Sequence, residues 1–306
     1  MTLDQLRVFV EVAERGHVTR ASEALRMSQS AASAAIASLE DLYQIRLFDR
    51  VGRGIQLTEP GRIFLREARA VLDRASTARA VLEDLAGSPP GPIALAASQT
   101  IATYWLPRRL AAFHAVNLRV RLDVVIRNTS EVETAVADGE VSMGLVEGPT
   151  QHPALLRTHL DYDQMVLVVA AGHAPPPIEP PRKLDLRALN WVIREPGSGT
   201  RRGLEDLAGR QGLSLEDLNI FLVLPSNEAV REAVEAGVGA TIISRHVVAS
   251  AIAAETLVEI PIELPQREFA LVRHRERHAT LTQKALVTHL IGDIAGDPAR
   301  SITDIS

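Results

Sequence analysis

The chain has 306 residues, enough for two or three separately cored domains, with the hydrophobic (46%) and charged (23%) content of an ordinary soluble protein. It has no cysteine, which excludes disulfides, thiolate catalysis and cysteine metal sites, and no apolar run approaches the ~20 residues of a membrane span. A net charge of -5 argues against a chain coated in positive charge, yet leaves nucleic-acid binding open, because binding depends on where the basic residues lie. The opening residues Met1 to Leu6 carry an acid and no signal-type apolar core, so a cytoplasmic location is expected.

Residues 1–86 read as almost pure helix. Leu3, Leu6, Phe9, Val10 and Ala13 space out as one face of a first helix, which Gly16 ends. A second helix runs from about Val18 to Leu25, with Ala21, Ala24 and Leu25 inward. After a tight connection at Arg26-Met27, Ser28 caps a third helix whose Ala32, Ile36 and Leu39 form the buried stripe. This is a helix-turn-helix pattern, although an alanine-rich three-helix bundle accounts for the helices equally well. The polar face of the third helix starts with Gln29, Ser30 and Ser33, short or amide side chains suited to reaching base edges.

Next, "QIRLFDRVGRGIQLTEPG" places Arg46, Arg50 and Arg53 around a Gly52/Gly54 turn between short strand-like segments. Alone, such a hairpin is a solvated surface; beside a helix-turn-helix it becomes a wing that grips phosphates or enters the minor groove. From Pro60 to Ala86, the positions Phe64, Ala68, Val71, Ala75, Ala78, Leu82 and Leu85 follow alternating steps of four and three. That is the ~3.5-residue repeat of a helix pair, so a dimer seam holding Phe64, Val71, Leu82 and Leu85 is expected. A surface helix packed on its own domain is the alternative.

The cluster Ala86-Gly87-Ser88-Pro89-Pro90-Gly91-Pro92 breaks both helix and strand. Beyond it, short apolar runs alternate with helical patterns: Ile93 to Ala97, Val120 to Ile126, Met143 to Val146, Val166 to Ala170, Trp191 to Ile193, Phe221 to Leu224 and Thr241 to Ile243. The alternation predicts an α/β domain. Within it, the helix end at Glu133 to Gly139 echoes that at Glu232 to Gly237, which suggests two similar halves or simply shared capping chemistry.

"REPGSGTRR", residues 194 to 202, raises the question of chemistry. It lacks the lysine of a phosphate-binding P-loop, the third glycine of a dinucleotide fingerprint and the first glycine of a serine elbow. What remains is a strand, a glycine turn through Ser198 and Gly199, and a helix start where Thr200, Arg201 and Arg194 favour an anion. Taken alone, the Gly-Ser-Gly reads more readily as a turn and cap than as a binding site. A second segment, "LAASQT", ends a strand with Ser98, Gln99 and Thr100, and Asn128, Glu147 and Ser226-Asn227 follow other strands. Together they outline a cleft at strand carboxyl ends, where open α/β sheets bind ligands. No poised base is singled out, so neither catalysis, a cofactor nor a metal is expected; His274 and His278 lack a clear third ligand. The rival reading is an enzyme acting on a phosphorylated or carboxylate substrate.

The stretch "LDQLRVFVEVAERGHVTRASEALRMSQSAASAAIASLEDLYQIRLFDRVGRGIQLTEPG" resembles the N-terminal domain of the LysR-type transcriptional regulators. "ALAASQTIATYWLP", "RNTSEVETAVADGEVSMGLVEGP", "WVIREPGSGTRR" and "SNEAVREAVEAGVGATIIS" resemble that family's effector domain. Departures include Ser30 where many members have proline, and Ala34 and Ala35 where many have Arg and Gln, which shifts weight to the wing. The resemblance implies a multi-domain fold: an all-α winged helix-turn-helix at 1–58, a dimerisation linker helix at 59–86, a hinge at 87–92 and a two-lobed, periplasmic-binding-protein-like α/β effector domain at 93–306. It implies operator DNA, a homodimer or homotetramer and RNA polymerase as partners. The S-Q-T and R-E-P-G-S-G-T-R segments look like members that regulate sulfur assimilation and carbon fixation and sense small anions; a larger organic effector is the alternative.

Overall fold

In the computed structural model, residues 1–51, 54–86, 91–150, 152–173 and 184–295 are described. Arg53 of the expected wing and residues 87–90 of the expected hinge lie outside them. The chain divides into two compact units, one running through the long fourth helix and one beginning at the strand after it.

In the first unit, α1 (Leu3–Arg15) starts in a capping box between Thr2 and Gln5 and stops where Gly16 takes a left-handed φ of 61°. α2 (Val18–Ala24) and α3 (Gln29–Tyr43) are joined through Arg26, at φ 54°, and Ser28 caps α3 by accepting from the Ala31 N–H at 3.2 Å. Leu6, Phe9, Val12, Ala21, Ala32, Ile36 and Leu39 form one core. Ala24, expected inward, is exposed; Ser22 takes the inward place, its hydroxyl donating to the Thr19 carbonyl at 2.8 Å. β1 (Phe48–Val51) and β2 (Gly54–Leu57) pair antiparallel as a hairpin. Glu40 of α3 accepts from the Leu47 and Phe48 N–H groups at 2.6 and 3.1 Å, fixing the hairpin to the helix.

α4 (Glu59–Leu85) carries the positions of the expected seam. The Phe64 ring lies 4.9 Å from that of Phe9, and Ala68 is fully buried in the same core, so this part of the stripe closes the domain's own interior. Val71, Leu82 and Leu85 are exposed by 42%, 67% and 79%. The stripe therefore serves two ends: its start packs at home, and its remainder is left apolar and uncovered.

The second unit holds two five-stranded sheets. In the first lobe, β3 (Ile93–Ala97) lies parallel between β4 (Leu122–Ile126) and β5 (Met143–Glu147). β12 (Arg267–His274) then pairs antiparallel with both β5 and β6 (Leu155–Asp163). In the second lobe, β8 (Asn190–Arg194) lies parallel between β9 (Asn219–Leu224) and β10 (Ala240–Ser244). β7 (Met165–Ala170) pairs antiparallel with both β10 and β11 (Leu257–Ile260). The orders β4-β3-β5-β12-β6 and β9-β8-β10-β7-β11 match position by position.

Helices repeat the correspondence. A π-helical turn (Ile101–Trp105) leading into α5 (Leu106–Val116) follows β3, and α7 (Gly199–Arg210) follows β8. α6 (Thr129–Asp138) follows β4, and α8 (Asn227–Glu235) follows β9; both end at glycines with φ near +80°, Gly139 at 81° and Gly237 at 82°. The echo in the sequence is thus one βαβ unit used twice. α9 (Arg245–Ala253) and α10 (Leu281–Ala295) complete the lobes. The chain passes between lobes twice, at Asp163–Met165 and between β11 and β12.

Candidate ligand cleft and DNA-reading face

The two lobes bring matched segments together. β3 runs out into Ser98-Gln99-Thr100 and β8 into Ser198-Gly199-Thr200, so each lobe presents a serine and a threonine at one helix start. Ser98, Thr100, Ser198 and Thr200 are all buried. The Ser198 hydroxyl caps α7, accepting from the Thr200 N–H at 3.2 Å, while the Ser98 hydroxyl donates to Glu147 at 2.8 Å. Gly199 has a packing reason to be glycine: a Cβ there would sit 2.9 Å from both Cβ and Oε2 of Glu147.

Glu147 is only 2% exposed, and its partner is a residue that the sequence did not mark. Arg267, the first residue of β12, places Nη1 2.5 Å from Glu147 Oε2 and donates from Nε to Asp163 at 3.1 Å. Its Nη1 also lies 3.4 Å from the Thr200 hydroxyl, and Asp163 accepts from Ser244 at 2.7 Å. Burial works against the guanidinium charge, yet Glu147 and Asp163 on either side hold its pKa above the ordinary arginine value. Asp163 and Arg267 face each other in register where the two interlobe passages begin and end, so this buried pair sits at the hinge.

A second network spans the lobes beside the first. Arg194 donates from Nη1 to Gln99 and Asn227 at 2.7 and 2.6 Å, and holds Glu195 through Nε and Nη2 at 2.8 and 2.9 Å. Asn227 donates to the Thr100 hydroxyl at 3.0 Å, and its backbone N–H to Gln99 at 2.8 Å. Gln99 in turn donates to Glu228 at 2.7 Å, as does the Tyr104 hydroxyl at 3.1 Å. Burial, followed by the Glu228 charge, pushes the Tyr104 pKa up to about 12. For Glu195, burial raises the carboxyl, but the hydrogen bonds and charge of Arg194 outweigh it and hold the pKa below the ordinary value.

The other expected residues join these networks less fully. Asn128 closes a capping box with Glu131, each backbone N–H donating to the other's side chain at 3.0 Å, and its side chain also hydrogen-bonds Glu195. Arg201 pairs with Glu205 at 2.8 Å along α7 and donates to the Arg194 carbonyl at 3.4 Å. Its i,i+4 geometry draws it away from the buried cluster. One residue beside the cluster is unspent. The Thr129 hydroxyl is buried without a hydrogen-bond partner among the described residues, and a Cβ on Gly199 would stand 3.0 Å from it. Thr129 directly follows Asn128 and opens α6.

In the first unit, Gln29, Ser30 and Ser33 lie exposed on α3, and Arg46 and Arg50 lie exposed on the hairpin side. Ser33, Ala37, Asp41, Arg46 and Arg50 line one groove between helix and hairpin. No helix of the described residues is long and apolar enough to cross a membrane.

Comparison with known proteins accounts for both units. Residues 3–62 match the bacterial regulatory helix-turn-helix protein model of the lysR family, and residues 86–294 match the LysR substrate binding domain. The HTH-type transcriptional regulator YeiE of Escherichia coli (strain K12), described as uncharacterized, is 34% identical over 280 residues, covering 91% of this chain and 93% of its own length. CbnR complexed with its target DNA shares the fold at a TM-score of 0.65 and 21% identity, covering 95% of this chain and 99% of that one. The regulatory domain of Synechocystis PCC6803 CcmR in complex with 2-PG aligns at a TM-score of 0.58 and 22% identity, over 67% of this chain and 97% of that one. The chain belongs to the LysR family: it is a DNA-binding transcriptional regulator with a ligand-binding domain, not an enzyme.

Proposed function

We propose that this regulator senses a small oxyanion held between the lobes of its second unit and conveys that state to operator DNA read by its first. The observation that carries the reading is Thr129. A buried hydroxyl without a partner among the described residues costs about 1–3 kcal/mol, and here it faces Gly199 at the α7 start together with the Glu147 carboxylate, which Ser98 and Arg267 hold. A ligand oxygen placed there satisfies it. Ser98 and Thr100 would donate from one lobe, Ser198, Thr200 and Arg194 from the other.

Charge narrows the class. Glu147 and Asp163 outnumber Arg267 in the deep network, and Arg194 is matched by Glu195. A fully charged anion is therefore disfavoured, and an oxyanion carrying a proton to give to Glu147 is preferred: hydrogen phosphate or hydrogen sulfite over sulfate, with short carboxylates also in range. The 2-PG complex of CcmR supports the choice of a small ligand for this fold. On the DNA side, Gln29, Ser30 and Ser33 read base edges while Arg46, Arg50 and Arg53 hold phosphates. Val71, Leu82 and Leu85 of α4 pair with a second copy, and RNA polymerase is the further partner.

Thr129→Val tests the reading. Removing an unpaired buried hydroxyl without changing shape should leave the unliganded protein as stable as the parent or slightly more so. It should also abolish the rise in melting temperature that phosphate or sulfite gives the parent. A variant that retains the full ligand-induced rise would remove the cleft as the site.

A further inference from the structure

We propose that Arg20 and Arg26 form a second phosphate-binding edge of the DNA-reading face, at the α2 flank of α3 and apart from the hairpin groove. The inference rests on the reading that α3 and the hairpin face DNA. It starts from what α3 lacks. The helix holds no Lys or Arg, and its only charged side chains are Glu40 and Asp41. A helix in the major groove has a phosphate backbone on each flank, and this one attracts neither. The grip on both strands has to come from the elements beside it.

The arginines around α3 divide accordingly. On α1, Arg7 is held by Asp4 at 3.0 Å and Arg15 by Glu11. Arg20 on α2, Arg26 in the turn into α3, and Arg46 and Arg50 on the hairpin side are exposed, and their guanidinium groups have no partner among the described residues. Glu23 stands three residues from both Arg20 and Arg26, yet pairs with neither. Arg46 and Arg50 line the groove between α3 and the hairpin, and Arg20 and Arg26 lie outside it.

Arg26 adds an independent sign. It sits at φ 54°, a left-handed backbone that strains a residue with a Cβ and that glycine adopts freely. Its N–H donates to the Glu23 carbonyl at 3.1 Å, a bond that glycine would also supply. The turn therefore does not explain the guanidinium. A free cation kept at a strained position, two residues before the Ser28 cap of α3, is a binding group. Its ligand is a DNA phosphate, whose oxygens a guanidinium meets with paired N–H groups and which every duplex presents whatever its sequence.

The full-length chain, titrated with a random-sequence duplex by fluorescence anisotropy across a salt series, tests the edge. Each lost phosphate contact should flatten the slope of log K against log salt by about 0.9 per protomer bound. Arg20→Gln and Arg26→Gly should each do so and bind roughly tenfold more weakly, the effect of losing a charge-assisted contact. Arg26→Lys should keep most of the parent slope. Arg26→Gly, relieved of strain, should melt no lower than the parent, so its loss of binding is not a loss of fold. Arg7→Gln, at a paired arginine, should leave the slope unchanged. The proposal is overturned if Arg20→Gln or Arg26→Gly keeps the parent slope, or if Arg7→Gln flattens it as much. Arg50→Gln, run alongside, reports on the hairpin: an unchanged slope there, with the other two flattened, would remove the hairpin reading and leave the α2 edge standing.

Discussion

The two lobes use the same βαβ unit and the same Ser-x-Thr turn, yet the middle residue differs in a way that divides the work. In the first lobe it is Gln99, whose amide reaches across to Arg194, Glu228 and the Asn227 backbone. In the second it is Gly199, which has no side chain and lets Glu147 of the first lobe lie against its backbone. One lobe reaches out at this position and the other makes room. The acids divide likewise: the end of β5 supplies Glu147, whereas the matching end of β10 supplies Ser244, which donates to Asp163. The space between the lobes is therefore faced by hydroxyls from both sides and by the carboxylate of one.

The sharpest way to break this division is at its pivot. Arg267→Met would leave Glu147 and Asp163 buried and unpaired, and should cost ~3–5 kcal/mol in denaturant unfolding. A variant as stable as the parent would show that the lobes do not depend on the pair. Next is the place where one lobe makes room. Gly199→Ala pushes a methyl into Glu147 and should cost about 1–3 kcal/mol, with ligand binding lost as the lobes are forced apart.

The reaching side should matter less. Gln99→Ala removes bonds that water replaces, for roughly 1 kcal/mol in stability and a more open cleft, visible as faster hydrogen exchange at Asn227. Smallest is the acid response of the same clasp. The Glu195 pKa lies below its ordinary 4.5, so its contribution is present above that value and fades as pH falls through the lowered one. Glu195→Gln should flatten that part of the acid-unfolding curve, and an unchanged curve would take Glu195 out of the clasp.

Much of this was legible in the chain. The capping residues, the glycine stops and the periodicity of α1 and α3 are local signals, and the seven apolar runs became strands: β3, β5, β7, β8 and β10 are buried almost throughout and so read as continuous apolar sequence, whereas β4 and β9 are apolar but exposed sheet edges. β6, β11 and β12 were missed for the opposite reason. β6 alternates buried and exposed residues through charged positions, β11 has four residues and β12 begins with Arg267. Missing β12 hid Arg267, since its role comes from antiparallel register with Asp163, a contact across about a hundred residues that no spacing rule carries. A heptad stripe does not say where a home core ends and a partner begins: Phe64, placed on the seam by spacing, packs on the Phe9 ring of its own domain.

The central claim, an oxyanion held by hydroxyls of both lobes beside one carboxylate, is tested most directly by titration calorimetry of the full chain with inorganic phosphate and with sulfate. The parent should bind phosphate, which can carry a proton to Glu147, more tightly than sulfate, and Thr100→Val and Ser198→Ala should each weaken phosphate binding. Undiminished binding in both variants, or sulfate bound as tightly as phosphate, would contradict it.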